Sequence, residues 1–185
     1  MLPATGTRGM ARWCVVAVAM IGAVLLLRKA LGASDDPVEL PLWSLALAAV
    51  WAVAGVALLR TAPNPTPVTS CRSGWLSALG LGAVVSLGSF TVAALLLQWS
   101  VSEAWIRDAL ATAETTSPVA VLLVALVAGA AEEIFFRLGL AGLWVGWRRW
   151  VVPNLAYGLV TLAGGNLALA ICAPLLGLFC TAARE

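Results

Sequence analysis

The sequence predicts an all-α fold, a polytopic transmembrane helix bundle of about six spans, and three observations carry that prediction. Hydrophobic residues make up 62% of the 185 and charged residues only 11%, too little polar surface for a soluble domain of this size. Apolar stretches recur along the whole length, which makes a bilayer the natural solvent. The breaks between them carry Pro, Gly and Arg, and Trp13, Trp43, Trp75, Trp99, Trp105, Trp147 and Trp150 fall near the span ends as interfacial anchors.

The first apolar run, Trp13 to Leu27, follows Arg8 and Arg12 and is closed by Arg28 and Lys29. Leu31-Gly32-Ala33 loosely resembles a signal-peptide cleavage site, but basic residues directly after the apolar run favour an uncleaved first helix. After the polar loop "SDDPVELP", Leu42 to Leu59 forms the second span, ended by Arg60 and the proline-stiffened loop "TAPNPTPVTSCRSG". Trp75 to Trp99 is the third. The amphipathic stretch that follows places Trp105, Ile106, Ala109 and Leu110 on a face suited to the membrane surface. Pro118 opens the fourth helix, where proline is well tolerated. That helix is expected to run unbroken to Trp147, with Arg148 and Arg149 ending it. Val151 to Ala163 and Leu167 to Cys180 are shorter than the roughly 20 residues a span usually needs. Extension, tilt or a re-entrant hairpin would accommodate them, the last lowering the count to five or fewer.

With a cytoplasmic N-terminus, the inner segments hold Arg8, Arg12, Arg60, Arg72, Arg148, Arg149 and Arg184, and the outer loops hold only Arg28, Lys29 and Arg107. The positive-inside rule therefore favours that topology in a cell (inner or plasma) membrane. A single lysine among the basic residues, with abundant Ala and Trp, hints at a bacterial source with a GC-rich genome. The net charge of +2 and the lack of a basic run exclude nucleic acid as a partner. The lipid bilayer is the partner the composition implies.

Cys14, Cys71, Cys172 and Cys180 are scattered, form no CxxC pair, and read as small apolar fillers. The chain has no histidine. A zinc site built on His or paired Cys is excluded, and a carboxylate-only site would hold zinc poorly, so neither a metal nor a cofactor is expected.

The segment "AGAAEEIFFRLGLAG", 129–143, sets Glu132, Glu133 and Arg137 near the middle of the fourth helix. Each ionisable residue at that depth costs on the order of 2.5–3.5 kcal/mol on insertion scales. Glu133 and Arg137, four apart, meet on one helical face in the favourable acid-first order. Glu132 points about 100° away without a partner in its own turn. The residues suit three roles: a staple between helices, a proton or ion relay, or a carboxyl group placed for acid–base chemistry. The absence of repeats and of further intramembrane charge disfavours a transporter. Gly142-x-x-x-Gly146 suits close helix packing, and Pro174 a kink.

"AEEIFFR" resembles the first motif, Glu-Glu-x-x-x-Arg, of the CPBP intramembrane proteases (CAAX proteases and bacteriocin-processing enzymes, also called the Abi family). Phe135 and Phe136 match its preference for aromatic residues before the arginine. The likeness covers roughly residues 75–185 and divides the chain into 1–74, two N-terminal transmembrane helices with polar loops, and 75–185, a CPBP-like domain. It implies an α-helical membrane endopeptidase that cleaves a membrane-held peptide or protein. In that scheme Glu132 polarises the attacking water, while Glu133 and Arg137 support the site. The family's second motif, Phe-x-x-x-His, aligns with "YGLVT", so Tyr157 stands in the Phe position and Thr161 in the His position. The third motif, His-x-x-x-Asn, has no counterpart before "TAARE". Asn154, Asn166, Tyr157 and Thr161 are the remaining candidates for lining the site and supplying an oxyanion donor.

Threonine cannot replace imidazole as a base. The chain therefore reads as a degenerate or truncated relative whose endopeptidase activity is in question. The alternative is a non-catalytic binding, immunity or assembly factor on the same fold.

Overall fold

The computed structural model describes residues 7–32, 36, 38–63 and 116–165, with the single positions 91, 98, 107 and 170. Among the described residues all the regular secondary structure is helical, without a strand. Helix α1 spans Thr7–Leu31, α2 Glu39–Thr61, α3 Pro118–Glu132 and α4 Arg148–Ala163. Three stretches, Gly9–Leu31, Glu39–Thr61 and Pro118–Leu143, are long and apolar enough to cross a membrane. Apart from those single positions, the expected third span, the surface stretch after it, and the segment Leu167 to Cys180 lie outside the described residues, as do Cys71, Cys172 and Cys180.

Helix ends follow local chemistry. Asp36 accepts hydrogen bonds from the Val38 N–H at its carboxylate (2.9 Å) and from the Glu39 N–H at its carbonyl (3.1 Å), bringing the chain into α2. Ser117 caps α3 by accepting from the Ala120 N–H at 3.3 Å, and Pro118 takes the first turn, where its missing N–H costs nothing. Arg28 donates from Nε to the Ala163 carbonyl at 2.8 Å, so a cation from the last turn of α1 satisfies the carbonyl end of α4. The 25 residues of α1 give a rod of about 37 Å, more than a hydrocarbon core of about 30 Å requires.

Helix α3 does not continue as a regular α-helix. From Glu133 to Leu140 it widens into a π-helix, then tightens into a 3-10 turn at Ala141–Leu143. The Ala141 N–H reaches back to the Phe136 carbonyl, five residues earlier, the spacing of a π turn. The rod stops at Leu143, four residues before the expected Trp147. Trp144 is extended (φ −121°, ψ 159°), and Gly146 turns the chain at φ +61°, a conformation that costs glycine little and other residues more. Two expectations change with it. Arg148 and Arg149 open α4 instead of closing the preceding helix, and Gly142 and Gly146 do not share a helix face. Cys14 is exposed on α1.

The core joins all four helices. Trp51 of α2 packs at a tilt against Phe135 and Phe136 at 4.5 and 4.9 Å between centroids, and the two phenylalanines meet edge to face at 4.9 Å. All three are fully buried, with Leu58 and Leu140 beside them. Glycine makes this approach feasible. A Cβ on Gly55 would stand 2.9 Å from the Ile134 carbonyl carbon and 2.9 Å from the Phe135 nitrogen, both backbone atoms. A Cβ on Gly139 would meet the Gly55 carbonyl oxygen at 3.1 Å. Trp51 faces Phe135 and Leu58 faces Gly139, so α2 and the α3 rod run in the same direction.

Gly55→Ala is expected to lower stability by about 1–3 kcal/mol, because the neighbouring backbone has to give way. Gly22→Ala, at a position with nothing within 4 Å, is expected to be neutral or to gain about 0.5–1 kcal/mol from helix propensity. Unfolding midpoints of the purified protein in detergent check both; equal losses would place the close crossing elsewhere.

Candidate functional site

Glu132 is the last residue of α3 proper, Glu133 opens the π segment, and Arg137 lies one turn further. Tyr157 comes from the middle of α4. Because α4 returns through the tight turn at Trp144–Trp147, its face carrying Asn154, Tyr157 and Thr161 packs back towards the rod. Val160 on α4 is part of the shared core, and Tyr157 packs against it.

The Tyr157 hydroxyl donates to Glu132 Oε2 at 2.7 Å, the usual length of an O–H···O hydrogen bond. The partner that Glu132 lacks within its own turn is thus supplied across the bundle. Arg137 Nε sits 3.4 Å from Glu133 Oε1, at the expected i, i+4 spacing. The contact is an ion pair without an aligned hydrogen bond, for Nε is buried with no hydrogen-bond acceptor. The two partners differ in setting: 5% of the arginine side chain is exposed against 37% of the glutamate's. Arg137 gains further compensation from aromatic faces. Its Cζ lies 5.2 Å from the Tyr157 ring centroid and 5.9 Å from that of Phe136, within cation–π range. The Phe136 and Tyr157 rings are themselves 5.0 Å apart.

The cluster therefore couples two carboxylates, one guanidinium and one phenol. Tyr157 links the halves, donating its hydroxyl to Glu132 and presenting its ring to Arg137.

The other candidates take different positions. Thr161 is buried, and its hydroxyl donates to the Tyr157 carbonyl at 2.9 Å, a bond within its own helix. The Asn154 amide nitrogen likewise donates to the Trp150 carbonyl at 2.8 Å, while its Oδ1 is buried without a donor. Neither group makes the bond to Glu132; Tyr157 does. Asn166 lies outside the described residues. Trp51 and Gly55, which hold the back of the π segment, carry no motif. Their signal in the sequence is slight: Gly55 is the only glycine inside α2, the type of residue that permits close helix approach.

Comparison with models of protein families, with curated proteins and with solved structures finds no match to this chain. The cluster's own geometry makes a prediction. Tyr157→Phe is expected to cost about 1–2 kcal/mol, because a buried carboxylate loses its donor. A double-mutant cycle with Glu132→Gln is expected to give a coupling of about 0.5–3 kcal/mol, and strict additivity would contradict the bond. Thr161→Val, which removes a bond internal to one helix, is expected to shift the unfolding midpoint much less.

Proposed function

We propose that the protein is a multi-pass membrane protein on a CPBP-like frame, in which the Glu132–Tyr157–Arg137–Glu133 cluster locks helices together and hydrolyses nothing. On this reading it binds a membrane-held peptide or protein without cutting it, as an immunity or assembly factor does. The observation that carries the reading is the Tyr157–Glu132 bond at 2.7 Å. In the motif frame of the resemblance, Glu132 is the residue that would polarise water and Thr161 stands where the histidine would be. The first is engaged by a phenol and the second by its own helix. General acid–base assistance is worth about 10²–10⁴-fold and a single oxyanion donor about 10²–10³-fold. A site without imidazole forgoes much of the first.

The same proposal sets the N-terminus in the cytoplasm of a bacterial cell, with about six spans. Its support is the distribution of charge among the described helices. Arg12, Arg60, Arg148 and Arg149 share one end of the bundle, while Arg28, Lys29, Asp36 and Glu39 share the other.

Cleavage of membrane-anchored reporter peptides by the lipid-reconstituted protein tests the reading. Wild type, Glu132→Gln and Thr161→His are all expected to leave the reporters intact. Cutting by wild type that disappears in Glu132→Gln would establish a glutamate-dependent endopeptidase instead.

A further inference from the structure

A groove of about 580 Å³ opens on the side of the bundle between α1 and α2. It is lined by Cys14, Val15, Val18 and Ala19 from α1 and by Ala49, Val50, Val53, Ala54 and Ala57 from α2, with almost no polar surface. Its size falls within the roughly 300–1,000 Å³ of sites that hold small ligands. Small side chains create the hollow: where leucine or phenylalanine would close the seam between two helices, these positions hold Ala, Val and Cys.

The end of this groove is charged. Arg12 precedes Val15 by three residues and Ala19 by seven, so it lies on the groove-lining face of α1. Arg60 follows Ala57 by three and Val53 by seven and lies on the matching face of α2. Antiparallel packing of α1 on α2 brings the start of one helix beside the end of the other, and both arginines to the same mouth. Arg60 is exposed, whereas Arg12 is half-buried and its Nε is buried without an acceptor. An orphaned donor on a cation is costly and calls for an anion. None of the described acidic residues supplies one. Among the described residues, Asp36 and Glu39 lie at the opposite end, and Glu132 and Glu133 lie mid-bundle.

We propose that this groove seats an acyl chain of an anionic phospholipid, with the lipid's phosphate held by Arg12 and Arg60. The occupant follows from joining the two halves. An apolar channel open to the side of the bundle accepts a hydrocarbon chain, and paired guanidinium groups at its mouth accept a phosphate fork. A zwitterionic lipid fills the channel equally well but brings a compensating positive charge to the arginines. A soluble phosphate reaches the arginines and leaves the channel unused. Affinity and headgroup selectivity therefore reside in different residues and can be separated.

The test is native mass spectrometry of the detergent-purified protein titrated with phosphatidylglycerol and with phosphatidylcholine of the same chains. Wild type is expected to prefer phosphatidylglycerol at least tenfold. Each arginine near an anionic headgroup contributes about fivefold. Arg60→Gln, at an exposed position that leaves the fold intact, is expected to lose about that factor. Arg12→Gln with Arg60→Gln is expected to bring the two lipids within about twofold. Ala49→Phe, filling the hollow from its exposed rim, is expected to weaken both lipids while keeping the preference. Equal binding of the two lipids by wild type would overturn the proposal, as would a preference unchanged in the double variant. Displacement of phosphatidylglycerol by inorganic phosphate would also overturn it, showing a site for a free anion.

Discussion

An ionised side chain in an apolar medium has to find its solvation within the protein, and the middle of the α3 rod is arranged around that demand. Glu132, Glu133 and Arg137 fall within two turns of each other. Together they would cost several kcal/mol unpaired at the centre of a membrane. The fold meets the demand asymmetrically. Arg137 is sunk among aromatic faces beside Glu133, and Glu132 is carried across to Tyr157. That last bond acts together with Val160 in the core and the Arg28 bond to the Ala163 carbonyl in fixing the return helix.

The apolar side of the same rod is governed by a different constraint. Lipid tails are as apolar as leucine, so burying side chains between helices gains little from leaving lipid, and close van der Waals fit has to hold the helices together. Gly55 and Gly139 let the α2 and α3 backbones approach, and Trp51, Phe135 and Phe136 fill the space on either side. The π-helical widening runs through both surfaces. It carries the buried phenylalanines towards α2 and the ion pair towards α4 within eight residues.

Much of this was legible in the sequence, and what escaped has physical reasons. Membrane character, the first two helices, the proline start of α3 and the Glu133–Arg137 pair follow from local rules: apolar run length, capping and i, i+4 spacing. Tyr157 was recognisable as a candidate from its place in the motif frame. Its bond to Glu132 was not, because a contact between residues 25 apart depends on how two helices pack. The π segment leaves no periodic signature over so short a stretch, so local rules carry the helix past Leu143 into a turn that depends on the φ of Gly146. Gly142-x-x-x-Gly146 has the linear spacing of a packing motif, while the glycines that permit contact, Gly55 and Gly139, lie on different helices and form no linear pattern.

Because α2 and the α3 rod point the same way, the chain leaves α2 at one end of the bundle and enters α3 at the other. This parallel arrangement bears on biogenesis. During synthesis α1 and α2 emerge first as a hairpin, and more than 50 residues must follow before Phe135 and Phe136 exist. The Gly55 crossing therefore closes only after the intervening segment has been made, when the rod carrying Phe135 and Gly139 arrives.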